Sequence, residues 1–218
     1  KRAALLSQGQ QTMCGILGIF DVAPGTTQSA LRAKLIERAR RMRHRGPDWS
    51  GYQLISQGKD KQELGAGQHA SSESLQRLCI AEHGVRGAAK HAIAHERLAI
   101  IDPESGAQPL FAAECKDSTG KILIEEGSII VAANGEIYNY KELYDLLKKE
   151  GVPYEPNTGS DCEVLIPLYV KFGLEKACSL LRGMFSFIIY DQRTGFYGAA
   201  RDHIGITSLY LGRGSDGS

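Results

Sequence analysis

Met13-Cys14-Gly15-Ile16-Leu17-Gly18-Ile19-Phe20-Asp21 is a short apolar run dotted with glycine, and it reads as a β-strand headed by a cysteine. Met13 before Cys14 has the form of a translation start. The twelve residues ahead of it carry two basic side chains, Lys1 and Arg2, and no acidic one. Residues 1–13 are therefore expected to be a leader, a tag or upstream read-through, and read-through is the most economical of the three. Methionine removal then leaves Cys14 with a free α-amino group beside its thiol. An α-amine has a pKa near about 8 and a cysteine thiol about 8.5, so the amine can take the thiol proton close to neutral pH. One residue supplies both nucleophile and base, and Gly15 lets substrate and backbone approach closely. Met-Cys-Gly by itself is a weak signal, because a cysteine in an apolar strand is ordinarily a small buried hydrophobe.

Downstream of this strand, Leu31, Leu35, Ala39 and Met42 form the apolar face of a helix capped by Ser29, and Gly46-Pro47-Asp48 stops it. Residues 56–91 are rich in glycine, serine and glutamine without a core pattern, which predicts a surface insertion. Residues 92–101 return to strand character, and 128–134 do so more strongly. Asn139 with Glu142 predicts a capping box for a helix to Glu150, with Leu143, Leu146 and Leu147 as its apolar face. Ser160 with Glu163 opens another helix, which Pro167 should kink or shorten. A short helix at 174–181 leads into strands at 184–191 and 195–201 joined by a tight turn. Antiparallel strand runs with helices grouped between them predict an α+β domain of two packed sheets flanked by helices. The layer order does not follow from the pattern.

The chain has 218 residues, 42% hydrophobic and 23% charged, with a formal net charge of +1. That suits one globular domain able to bury a substantial core, and it offers no global attraction to nucleic acid or membrane. No apolar run approaches the roughly 20 residues needed to cross a bilayer. Cys14, Cys79, Cys115, Cys162 and Cys178 are odd in number and irregular in spacing, so neither a disulfide framework nor a zinc site is indicated. The pattern fits a reducing compartment, and a cytoplasmic location is expected. His83, His91 and His95 lack acidic or cysteine partners at metal spacing, so no metal site is expected. Arg38, Arg40, Arg41, Arg43 and Arg45 look like a nucleic-acid patch. Cations near a helix C-terminus complement its dipole, and that is the plainer account.

Three further segments carry chemistry. Asn134-Gly135-Glu136 closes the strongest strand: an Asn amide followed by a Gly N–H makes a two-donor oxyanion hole, or simply a turn. In His95-Glu96-Arg97-Leu98, an arginine inside an apolar strand either binds a carboxylate, which its fork suits, or makes a structural ion pair or sits at an exposed edge. In Ser160-Asp161-Cys162-Glu163, Asp161 at a helix start either holds an ammonium or favours the helix dipole. Together with Cys14 they define a nucleophile, two oxyanion donors, a cation for a carboxylate and an anion for an ammonium. An amino acid with a side-chain amide, such as glutamine, fits all of them.

Met13-Cys14-Gly15-Ile16, Arg43-His44-Arg45-Gly46-Pro47-Asp48, His95-Glu96-Arg97-Leu98, Asn134-Gly135-Glu136-Ile137-Tyr138-Asn139 and Gly159-Ser160-Asp161-Cys162-Glu163 resemble the class II glutamine amidotransferases, specifically the glutaminase domain of the asparagine synthetases. Arg201-Asp202-His203-Ile204-Gly205-Ile206-Thr207-Ser208-Leu209-Tyr210 is similar to the eukaryotic or plant-like form of that family. The resemblance implies an N-terminal-nucleophile (Ntn) hydrolase fold, a four-layer αββα sandwich of two antiparallel sheets. It implies that Cys14 attacks the amide of L-glutamine, with the oxyanion on Asn134 and Gly135. Arg97 would take the α-carboxylate and Asp161 the α-ammonium, with Leu98, Ile100, Ile101 and Glu136 completing the pocket. The turn from Arg45 to Asp48 resembles a loop that closes over the substrate.

The same resemblance implies a glutaminase domain at 14–212 and, from 213–218, the start of a linker to an ATP-dependent synthetase domain. That domain would use ATP and Mg, whereas the glutaminase domain needs no cofactor. No pyrophosphate-binding loop of the Ser-Gly-Gly-Leu-Asp-Ser type occurs in the chain, so glutamine hydrolysis without asparagine formation is the expectation for these residues. A homodimer is implied by the family only. The competing readings are a non-catalytic glutamine-binding or packing domain, and the glutaminase domain of another class II amidotransferase.

Overall fold

The computed structural model describes residues 13–56, 62–66, 89–98 and 108–214. Strand β1 (Gly15–Ile19) is followed by helix α1 (Gln28–Arg40), β2 (Trp49–Ser56), β3 (Gln62–Ala66) and β4 (Ala89–Arg97). Short β5 (Leu110–Phe111) and a ribbon of β6 (Cys115–Lys116) and β7 (Ile122–Ile124) precede β8 (Ile129–Ile137). Helix α2 (Tyr140–Lys149) and a 3-10 turn (Asp161–Val164) lead to α3 (Leu165–Leu180), β9 (Gly183–Asp191) and β10 (Phe196–Arg201). The first sheet has the order β1-β4-β2-β3 and the second β10-β9-β8-β5, with the pairings antiparallel.

Alternation of side chains along each strand assigns the layers. Ile129, Val131, Ala133 and Ile137 of β8, with Phe185, Phe187 and Ile189 of β9, pack on Leu143, Leu147, Leu165 and Leu168 of α2 and α3. The opposite face, Ile130, Ala132, Ile188 and Tyr190, packs on Ile16, Phe20, Ile55 and Ile93 of the first sheet. The outer face of that sheet (Leu17, Ile19, Leu54, Ala92 and Ala94) is covered by Leu31, Leu35 and Ala39 of α1. Leu31 and Leu35 have no exposed surface, and each such burial contributes roughly 1.5–3 kcal/mol. The layers therefore run helix, sheet, sheet, helix, which is the αββα sandwich the family resemblance implies.

Local signals are corrected in several places. Thr27, not Ser29, caps α1, its Oγ1 accepting from the Ala30 N–H at 3.2 Å. Met42 lies beyond the helix, in the turn that follows. Asn139 makes no capping bond. Its amide donates to Leu180 O at 3.0 Å and accepts from the Arg182 N–H at 2.9 Å, tying the start of α2 to the α3–β9 junction. Ser160 likewise makes no side-chain cap. Pro167 is accommodated in the first turn of α3, where its missing N–H costs nothing, and the break falls instead at Gly173 (φ 75°, ψ 167°). The stretch 56–91 is not all excursion, because it contains β3 and the start of β4. Its remaining residues, 57–61 and 67–88, lie outside the described ones, as do Cys79 and His83.

Candidate active site

Position 16 of β1, position 20 just beyond it, 93 of β4 and 130 and 132 of β8 face the gap between the sheets. Continuing those rows by twos brings Cys14, Arg97 and Asn134 to one end of the same gap. A cavity there is lined by Cys14, Arg97, Leu98, Asn134, Gly135, Glu136 and Asp161, and also by Gln108, Ser160, Cys162 and Met184. Seven of the nine expected site residues thus converge. Ile100 and Ile101 lie outside the described residues.

Cys14 sits at the head of β1, next to Arg97 through the pairing of Gly15 with Glu96. The Leu98 N–H donates to its Sγ at 3.2 Å, and the Arg45 Nε donates to its carbonyl at 3.4 Å. Burial pushes the Cys14 thiol up, while the Leu98 N–H and the Arg97 and Arg45 guanidinium groups partly oppose it. The Arg45–Asp48 turn lies against the end of β4, where the Asp48 N–H donates to Arg97 O at 3.0 Å. Only glycine fits at position 46, since a Cβ there would stand 2.1 Å from Glu96 O. Glu96 itself alternates to the α1 side. It accepts from Ser50 Oγ at 2.5 Å and lies in the field of Arg43 and Arg40, so two of the clustered arginines serve a buried carboxylate.

Asn134 and Gly135 were expected at the end of a strand, and they lie inside one. The ladder with β9 continues through Asn134–Ser186, Gly135–Phe185, Glu136–Met184 and Ile137–Gly183. Gly135 holds φ at 127° with Met184 O where a side chain would be. Asn134 is 4% exposed, and its Oδ1 is buried without a hydrogen-bond partner among the described residues.

Across the cavity, the 3-10 turn presents Asp161, whose Oδ2 accepts from the Ile137 N–H at 2.5 Å. Burial raises its pKa, the Ile137 N–H lowers it and the charge of Glu136 raises it again. Two carboxylates beside one cavity suit a cation. Glu163 fixes the approach to this turn, accepting from Asn157 N (2.7 Å), Thr158 N (2.9 Å), Thr158 Oγ1 (2.6 Å) and Tyr154 OH (3.1 Å). Four of these lining residues, Gln108, Ser160, Cys162 and Met184, were not among the expected site residues. Cys162 stood inside a quoted motif, and its thiol donates to Gly135 O at 3.7 Å. Gln108, whose Oε1 accepts from the Ala133 N–H at 2.8 Å, carries no signal in the sequence. Among the described residues no group of His, Cys, Asp or Glu could hold a metal ion, Cys14, Cys115, Cys162 and Cys178 are free, and no helix is long and apolar enough to cross a membrane.

Asp202 secures the wall behind Gly135. Its carboxylate accepts from the N–H groups of Phe185 (3.3 Å), Gly205 (2.6 Å), Ile206 (2.9 Å) and Thr207 (3.1 Å), and its pKa is held down to about 2. Because the folded pKa lies below the usual carboxylate value, this stability is complete above about pH 4 and is lost as pH falls toward 2. Asp202→Asn is expected to cost roughly 2–3 kcal/mol at neutral pH, by replacing an acceptor oxygen with a donor facing those N–H groups. It should also flatten the stability-versus-pH curve between about pH 4 and 2. Urea melts of both proteins across that range check this, and parallel curves would refute it.

The layer order defines the class: an α+β domain built as a four-layer αββα sandwich. The solved structure of glutamine phosphoribosylpyrophosphate amidotransferase from B. subtilis, complexed with ADP and GMP, aligns with a TM-score of 0.51 at 21% identity. The alignment covers 81% of this chain and 35% of that one, a likeness of fold. Residues 71–218 match the family model of the glutamine amidotransferase domain, and the chain belongs to that family. Among curated relatives, a glutamine-hydrolyzing asparagine synthetase of Zea mays is 40% identical over 206 residues, 94% of this chain and 26% of that protein. Asparagine synthetase 1 of Arabidopsis thaliana, also glutamine-hydrolyzing, is 38% identical over the same shares. The chain thus spans 26% of the length of these relatives.

Proposed function

We propose that this domain hydrolyses L-glutamine to glutamate and ammonia through a thioester on Cys14. The observation that carries this reading is the convergence of Cys14, Asn134, Gly135, Arg97 and Asp161 on one cavity. Arg97 takes the α-carboxylate of glutamine, and Asp161 with Glu136 takes the α-ammonium, leaving the side-chain amide to reach Cys14. The free α-amine of Cys14 accepts the thiol proton as sulfur attacks the amide carbon. The resulting oxyanion rests on the Asn134 amide and the Gly135 N–H. The same amine returns the proton to nitrogen, the C–N bond breaks and ammonia leaves. A water molecule then attacks the thioester, releasing glutamate and restoring the thiol. Closure of the Arg45–Asp48 turn over bound glutamine, as the family resemblance implies, would limit competing solvent.

In the whole protein the ammonia would pass to a C-terminal synthetase domain that makes asparagine from aspartate with ATP and Mg, and the assembly would be a cytoplasmic homodimer. The names and lengths of the relatives support the synthetase domain. Asn134→Ala tests the oxyanion assignment. Its kcat is expected to fall about 10²–10³-fold with glutamine KM nearly unchanged, because the donor acts on charge that develops only in the transition state. A raised KM at unaltered kcat would move Asn134 from oxyanion donor to ground-state contact.

A further inference from the structure

Behind the oxyanion pair, three polar atoms are buried without a hydrogen-bond partner among the described residues: Asn134 Oδ1, Ser186 Oγ and His95 Nδ1. Ser186 and His95 have no exposed surface. Ser186 stands opposite Asn134 in the β8–β9 register, so their side chains share the face that meets the first sheet. His95 projects from β4 onto that face, and its Nε2 lies 2.9 Å from Ala133 O, one residue before Asn134. A carbonyl only accepts, so Nε2 carries the hydrogen and Nδ1 is left as an acceptor. The ring is neutral, since burial pushes its pKa down to about 3.

The set therefore holds two acceptors, Nδ1 and Oδ1, and one hydroxyl. A water molecule supplies two hydrogens to the acceptors and a lone pair to the hydroxyl, and every donor then has an acceptor. Turning the Asn134 amide over would replace the acceptor Oδ1 with an N–H donor, and in three bonds to one water one hydrogen would then go without an acceptor. Buried polar atoms in folded proteins are generally hydrogen-bonded, so an unfilled trio would carry the desolvation cost of its groups. We propose that one internal water joins His95 Nδ1, Ser186 Oγ and Asn134 Oδ1. It fixes the Asn134 amide with Nδ2 toward Cys14, and it makes Ser186 and His95 positioning residues for the oxyanion hole. The catalytic half of this proposal rests on the glutaminase reading, whereas the water site does not.

Two experiments decide it. A high-resolution crystal structure of the full chain should show one ordered water within hydrogen-bond reach of all three atoms. Direct bonding among the side chains, or no density, overturns the site whatever the enzyme's activity. In protein matured to begin at Cys14, Ser186→Ala should lower kcat about tenfold at unchanged glutamine KM. In an Asn134→Ala background the same change should have no further effect. Equal slowing in both backgrounds, or no slowing in the first, overturns the positioning role. If the parent enzyme is inert, the glutaminase reading has failed, and the density with the refined amide orientation still decides the water site.

Discussion

A chain that begins at Cys14 is expected to hydrolyse glutamine about 10²–10⁴-fold faster than the same chain carrying residues 1–13, the span that a positioned general base contributes. The difference lies in one nitrogen. With residues 1–13 attached, the nitrogen of Cys14 is an amide, whose lone pair is delocalised into the carbonyl and cannot take the thiol proton. The thiol has little help elsewhere. Burial raises its pKa, and the nearby guanidinium groups of Arg97 and Arg45 only partly offset that. His95, the nearest imidazole on the strand that pairs with β1, is committed to Ala133 O and held neutral with a pKa of about 3. Trimming to Cys14 creates the base at the nucleophile itself. Glutamate and ammonia release from matched proteins starting at Lys1 and at Cys14 measures the ratio, with intact mass confirming each amino terminus. Cys14→Ala in the trimmed protein should abolish turnover and labelling by a glutamine-derived electrophile. Equal rates from both starts would sink the free-amine mechanism, and binding of glutamine without turnover in either would favour the binding-domain reading.

The chemistry of the site was more legible in the sequence than its geometry. Arg97 stood out as a charge inside an apolar strand, whereas Cys14 and Asp161 were each ordinary alone and gained meaning only in combination. Their convergence could not be read until strand partners were known, since the rows ending in Cys14, Arg97 and Asn134 belong to strands in two different sheets. Asn134-Gly135 misled for a clear reason. Asn-Gly is a turn signal locally, but pairing with Phe185 and Ser186 holds it in the ladder and uses the glycine to admit Met184 O. Asn139 has a side chain that could cap its own helix, and tertiary structure recruits it for Leu180 and Arg182 instead. Gln108 and Ser186 have no sequence signature, because what matters about them is which backbone or side chain stands opposite. The four-layer order was implied by resemblance and left open by pattern, and side-chain alternation in the folded sheets supplies its physical basis.

Gly135→Ala is the single substitution expected to do most harm to both fold and chemistry. The residue adopts φ of 127°, outside the range that L side chains favour, and an added Cβ would lie 1.9 Å from Met184 O and 2.7 Å from Phe185 Cα. Neither obstacle is the flexible tip of a side chain. Both are backbone of β9, the central neighbour of β8, and the Phe185 N–H is held by Asp202. Strain at such a φ costs about 1–3 kcal/mol and overpacking a similar amount, so roughly 2–6 kcal/mol of stability should be lost. For a domain of this size that lowers Tm by roughly 5–20 °C. Whatever folds must separate β8 from β9 at the residue whose N–H is proposed to face the oxyanion, so kcat should fall at least about 10²-fold. Gly195→Ala is the matched control. Its φ of 73° is also positive, but nothing stands within 4 Å of the added Cβ, and it lies in the β9–β10 turn away from the cavity. It should lose about 1 kcal/mol and keep its kcat. Thermal melts and glutamine kinetics on the two variants separate strain from collision. If Gly135→Ala behaves like Gly195→Ala in both, the strand has room that its register denies, and the oxyanion hole must be sought elsewhere.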